Sequence, residues 1–217
     1  MLVKRIFSQR LFAFILFCLL GLITFLGIQS LSVKATLATD RVRTEVLNTN
    51  SIVEKAKALY EAGQFSEAAK IWQQAANEFA AAGDKLNQAS ALSNLSLTYQ
   101  QLGLWNEAKN AIANSISLLN TDSSPLILAQ ILNIQGFLEL SLGQPENALD
   151  TLKKAAAAYE KAGDRAGIIA NLINQSQAMQ ALGFYRRAAN ILEQVETNLL
   201  ASPDSIIKVT GLLNLGN

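Results

Sequence analysis

The chain has 217 residues, half of them hydrophobic, and a formal net charge of +1. It has no histidine and one cysteine, Cys18, which excludes an intramolecular disulfide and Cys/His zinc sites, and leaves the body of the chain without a Cys or His nucleophile. Lys4, Arg5, Arg10 and Lys34 all precede Thr36. Without them 14 basic residues face 17 acidic ones, a net of −3, which is a poor electrostatic match for nucleic acid.

The N-terminal stretch from Met1 to Arg10 carries Lys4, Arg5 and Arg10 and no acid, and residues 11–28 form a charge-free apolar run. A polar stretch follows, with Val33 and Ala35 as small residues before a cleavage point. This is the three-part layout of a secretory signal. The run also approaches the roughly 20 residues that span a bilayer, so residues 1–35 are expected to act as a cleaved signal or a retained anchor. In both cases the rest of the chain is exported across the inner membrane, periplasmic or extracytoplasmic. Residues 36–50 are polar with weak periodicity and form a linker.

Beyond residue 50 a pattern recurs with a period of 40. Gly63, Gly103, Gly143 and Gly183 are each followed five residues later by Ala68, Ala108, Ala148 and Ala188. Two residues after each glycine stands Phe65, Trp105, Pro145 or Tyr185. A fixed period in this range marks stacked structural repeats. Each unit is predicted to be two helices, with units at about 51–83, 84–123, 124–163 and 164–203 and an incomplete one at 204–217.

Within a unit, Asp84, Ser124, Asp164 and Asp204 stand at the N-cap of the first helix, with Pro125 in its first turn. Leu92, Leu95, Tyr99 and Leu102, like Leu172, Met179 and Leu182, follow at three- and four-residue spacing, predicting one apolar face. The glycine then ends the helix in the left-handed conformation. The second helix carries Ala108 and Ile112, Ala148 and Leu152, or Ala188 and Leu192 inward. Small residues Ala56, Ser96, Gly136 and Ser176 fall where the two axes are expected to approach the alanine series closely. Tyr60, Trp72, Trp105 and Tyr185 are expected to pack between helices.

The motif Ala56…Tyr60-Glu-Ala-Gly63-Gln-Phe65-Ser-Glu-Ala68…Trp72…Ala75 resembles a tetratricopeptide (TPR) repeat, as does Leu92…Leu95-Ser96…Tyr99…Gly103-Leu-Trp105…Ala108…Ile112. The third and fourth units depart from it, with Pro145 in place of an aromatic and Gln135 and Gln175 where Leu is common. The 40-residue period exceeds the family's usual length of about 34, so the chain resembles a long-helix variant. The resemblance implies an all-α fold, a right-handed α-solenoid of antiparallel helix pairs that binds protein partners. Arrays of this variant behind a signal segment also resemble those preceding a caspase-like CHAT domain in cyanobacterial proteins. An alternative function is therefore the sensing arm of a larger enzyme. The unpaired pattern Ile206 to Gly216 suggests a fragment, or self-association through the last repeat.

No paired carboxylates or metal-ligand spacing recur as a constellation, so no enzyme, cofactor or metal is expected. Glu67 and Glu107 suit a helix N-terminus, and the positions equivalent to Glu107 are Asn147 and Arg187, so a shared catalytic role there is excluded. Gly83-Asp84 and Gly163-Asp164 fit helix stops and caps better than phosphate loops. The resemblance places the ligand on the concave face of the first helices, where Asn94, Asn174 and Asn214 fall in register. Gln130, Asn133 and Gln177 lie near them. In this family such amides hold a ligand's main chain; the alternative is that they bond between neighbouring helices. Where relatives that grip a carboxylate carry Lys and Arg, this chain has Ser93, Asn133 and Ile173, which argues against a carboxylate clamp.

Overall fold

A computed structural model describes residues 51–119 and 124–200. These belong to the second of two units into which the chain divides, which begins at Ser51. The predicted leader, linker and fifth unit, with Asp204 and Asn214, lie outside the described residues. Among the described residues the structure is eight helices and no strand. They are α1 (51–61), α2 (Phe65–Ala81), α3 (Lys85–Gln101), α4 (Trp105–Ser117), α5 (Pro125–Ser141), α6 (Pro145–Ala162), α7 (Arg165–Ala181) and α8 (Tyr185–Leu200).

The 40-residue glycines make the turn inside each pair. At Gly103 the backbone is left-handed, with φ +69°. Its N–H donates to Gln100 O at 3.1 Å, and the N–H of Leu104 donates to Tyr99 O at 2.9 Å. Two orphan carbonyls at the end of α3 are thereby satisfied, and α4 starts without a loop. A second glycine series, Gly83 and Gly163, ends α2 and α6 in the same conformation. At the following caps, Asp84 Oδ1 accepts from Asn87 N at 3.1 Å and Asp164 Oδ1 from Gly167 N at 3.0 Å. Ser124 also occupies its N-cap, as expected, but not in the same way. Its side chain makes no capping bond, and Pro125, which has no N–H to satisfy, starts α5 instead.

Small side chains set the approach within each pair. Ala56, Ser96, Gly136 and Ser176 are all buried, as are Ala68, Ala108, Ala148 and Ala188. Ser96 Oγ donates across the pair to Ala108 O at 2.8 Å. In the next unit Gly136 faces the equivalent Ala148 O, where an added Cβ would stand 3.3 Å from the oxygen. A second close point joins the other ends of the α3–α4 pair, where Ser115 Oγ donates to Ala89 O at 2.7 Å.

The pairs stack in serial order. α3 packs on α2, α4 and α5, and α5 in turn on α3, α4, α6 and α7. A first helix therefore buries far more than one stripe: Ala91, Leu92, Ser93, Leu95, Ser96 and Thr98 of α3 are all enclosed. The expected single apolar face is corrected accordingly. What stays open is the narrow strip Ser90, Asn94, Leu97 and Gln101, continued on α5 by Gln130, Ile134, Phe137 and Ser141.

Trp72 packs in the core at 3% exposure, and the Tyr60 ring meets Phe65 edge-on at 5.2 Å. Trp105 and Tyr185 do not pack as expected; they are 40% and 71% exposed. Each is the first residue of its second helix, beside the left-handed turn, with no earlier turn of that helix to pack on.

Gln100 is buried, and neither its Oε1 nor its Nε2 has a partner among the described residues. Enclosed polar atoms without partners are destabilising. The near-isosteric Gln100→Met is expected to raise stability by about 1–2 kcal/mol, measured as a higher urea midpoint.

Candidate peptide-binding groove

The open strips of the first helices border a cavity of about 430 Å³ that runs from α1 across α3 to α5. Ser90, Asn94, Gln130, Asn133 and Ile134 line it, with Tyr159 contributed by α6. The polar lining groups come from side chains held by their own helices. Ser90 Oγ donates to Leu86 O at 3.1 Å, and Asn94 Nδ2 donates to Ser90 O at 2.9 Å.

Of the residues singled out in the sequence, Asn94, Gln130 and Asn133 come together in this cavity. Asn174 stands one unit further, half-buried, and its Nδ2 donates to Asn133 Oδ1 at 3.3 Å. Gln177 is exposed on α7. Ser93 and Ile173 are 2% and 6% exposed. Ser93 nevertheless lines the cavity beside Asn94, whereas Ile173, about 100° of helix from Asn174, packs in the core.

Sequence reasoning missed Asn171. It is fully buried, its Nδ2 donates to both Asn133 Oδ1 and Leu152 O at 3.0 Å, and its Oδ1 accepts from Gln175 Nε2 at 2.6 Å. In register it replaces Ala91 and Ile131, so the repeat pattern gave no signal for it. Gln175, noted only as a departure from Leu, is the second member of this network.

The groove is electrically quiet. Across α3, α5 and α7 the charged residues are Lys85, Glu139 and Arg165, and two of these open their helices. Lys57 is the charged side chain among the described residues lining the cavity, and Glu54 Oε1 holds its Nζ at 2.9 Å. Most other charges lie on the second helices, for example Glu146, Asp150, Lys153, Lys154, Glu160 and Lys161 of α6.

Burial, reinforced by the nearby Asp164 carboxylate, pushes the Tyr159 phenol up to about 12. Because the folded state favours the neutral phenol, its contribution to stability is complete below the unfolded value near 10 and disappears as pH rises towards 12. Unfolding midpoints are expected to fall between those values, and Tyr159→Phe to flatten that fall in a pH series followed by circular dichroism.

Among the described residues no cluster of three acidic, His or Cys side chains is placed to hold a metal ion. None of the described helices is long and apolar enough to cross a membrane.

No protein-family model matches the chain, and no curated protein matches it. Solved structures do. BtubC (BKLC) from P. vanneervenii superposes with a TM-score of 0.59 at 17% identity, over 72% of this chain and 66% of that one. Two crystal structures of a Podosopora anserina putative kinesin light chain with nearly identical TPR-like repeats give 0.59 and 0.57. Their identities are 19% and 21%, over 76% of this chain and 82% of theirs. The fold is a TPR-like α-solenoid. At these identities the likeness concerns the fold alone, so what a TPR-like solenoid of this sequence holds must be argued from its own groove.

Proposed function

We propose that this chain is an exported or membrane-anchored scaffold that holds a segment of another protein against the open face of its first helices. The observation that carries the reading is the 430 Å³ groove over α1, α3 and α5, floored by apolar side chains and walled by amides and hydroxyls. A cleft of this kind, concave and mostly apolar with a few placed polar groups, is the usual form of a binding site. Export follows from the basic start and the apolar run 11–28. Binding rather than catalysis is the activity.

The test is selection of displayed random peptides on the full chain in detergent micelles, repeated on Asn94→Arg, which fills the groove. Peptides enriched on the wild type and lost on the variant support the proposal. Equal enrichment on both sinks it.

A further inference from the structure

Resting on that reading, we infer that the groove takes an uncharged, extended segment, and that the buried Asn171 sets the polarity with which the groove reads its main chain. The first step is charge. Within the cavity lining a segment meets no unpaired ion: Lys57, its charged lining residue, is matched by Glu54, and Lys85 and Glu139 stand on α3 and α5 outside that lining. A charged segment would lose hydration there and find no opposite charge in return. A main chain, by contrast, offers one donor and one acceptor per residue and asks for the same.

The second step is orientation. On the α3 wall, Asn94 Nδ2 and the hydroxyls of Ser90 and Ser93 all donate to carbonyls of their own helix. Among the described residues Asn94 Oδ1 has no partner, so that wall presents an acceptor. On the α5 wall the opposite holds at Asn133. Asn133 Oδ1 accepts from Asn171 Nδ2 at 3.0 Å and from Asn174 Nδ2 at 3.3 Å, which occupies both its lone pairs. Its Nδ2 has no partner among the described residues and is the group left for the groove. The polarity is thus fixed at Asn133, which has only a donor left, whereas Asn94 keeps its Oδ1 and one N–H.

Asn171 makes this assignment hold. It does not line the cavity, but Leu152 O and Gln175 Nε2 fix which of its ends is the donor. Asn133 must therefore turn its oxygen towards Asn171 and its nitrogen outwards. Asn171 is a positioning residue acting through Asn133.

The test uses the full chain in micelles and a fluorescein-labelled peptide taken from the selection above. Raising salt from about 50 to 500 mM is expected to change its Kd by less than about two-fold, because no ion pair is available to screen. Asn133→Asp keeps both accepted bonds but turns the outward donor into an acceptor and adds one negative charge. It is expected to weaken binding about ten-fold or more with little change in thermal midpoint. Asn171→Ala is expected to weaken binding similarly, with no further loss when Asn133→Asp is added, as two changes on one path require. If Asn171→Ala does not fold, Asn133→Asp and the salt series still decide. Selected peptides that are charged, affinity that collapses with salt, or unaltered binding by Asn133→Asp would overturn the inference while leaving partner binding intact. Additive losses in the double variant would remove the role of Asn171.

Discussion

Gly136→Ala is expected to lower stability by about 1–3 kcal/mol although it adds a single methyl group. An ideal Cβ at this position stands 2.6 Å from Leu152 Cγ and 2.8 Å from Cδ2. Leu152 is fully enclosed, so its side chain has no space to retreat into, and α5 must move away from α6. For a domain of this size the thermal midpoint is expected to drop by roughly 3–10 °C. Gly103→Ala is the control for backbone conformation. Its φ is +69° and nothing lies within 4 Å of the added atom, so only backbone strain of about 1–2 kcal/mol remains. Leu152→Ala alone opens a cavity and costs about 2–5 kcal/mol. The pair Gly136→Ala with Leu152→Ala should cost less than the sum, since each relieves the other. A neutral Gly136→Ala, or strict additivity, would show that close helix approach is not what this glycine supplies.

The close approach was legible because it repeats. Ala56, Ser96, Gly136 and Ser176 declare their shared place by register, and all four are buried. Position around the helix was less legible. Register placed Asn94 and Gln130 on the open face, and they line the cavity together with Ser93 and Asn133, but it also placed Ile173 there, which is 6% exposed. The first helices proved harder to phase than the second ones because they are packed on several sides, which erases the polar stripe that normally marks the exposed face. Trp105 and Tyr185 were misplaced for a related reason: residue type suggested the core, whereas the helix start set their direction. Asn171 was invisible because its register partners, Ala91 and Ile131, are apolar, and its value depends on Asn133 in another helix.

Asn171→Leu is expected to destabilise the chain by about 2–5 kcal/mol despite keeping the same branching of side-chain heavy atoms and adding apolar surface. The loss arises in the groups left behind. Gln175 Nε2 donates to Asn171 Oδ1 at 2.6 Å and is itself in a buried side chain, so the variant leaves that amide enclosed without its acceptor. Leu152 O and Asn133 Oδ1 each lose a donor at 3.0 Å. One enclosed amide without its acceptor, together with two acceptors each short of a donor, outweighs the roughly 1–3 kcal/mol gained by burying a leucine. Asn171 ties α7 to α5 and α6 together, so the damage should localise at the junction of the third and fourth pairs. In a serially stacked array such a break uncouples neighbours rather than melting the whole. Amide hydrogen exchange is therefore expected to accelerate in α7 and α8 while α2 and α3 keep their protection. The double variant Asn171→Leu with Gln175→Leu removes the stranded amide and should recover part of the loss. Uniform acceleration along all the helices, or no rescue by the second substitution, would mean that the amides are incidental to how this junction is held.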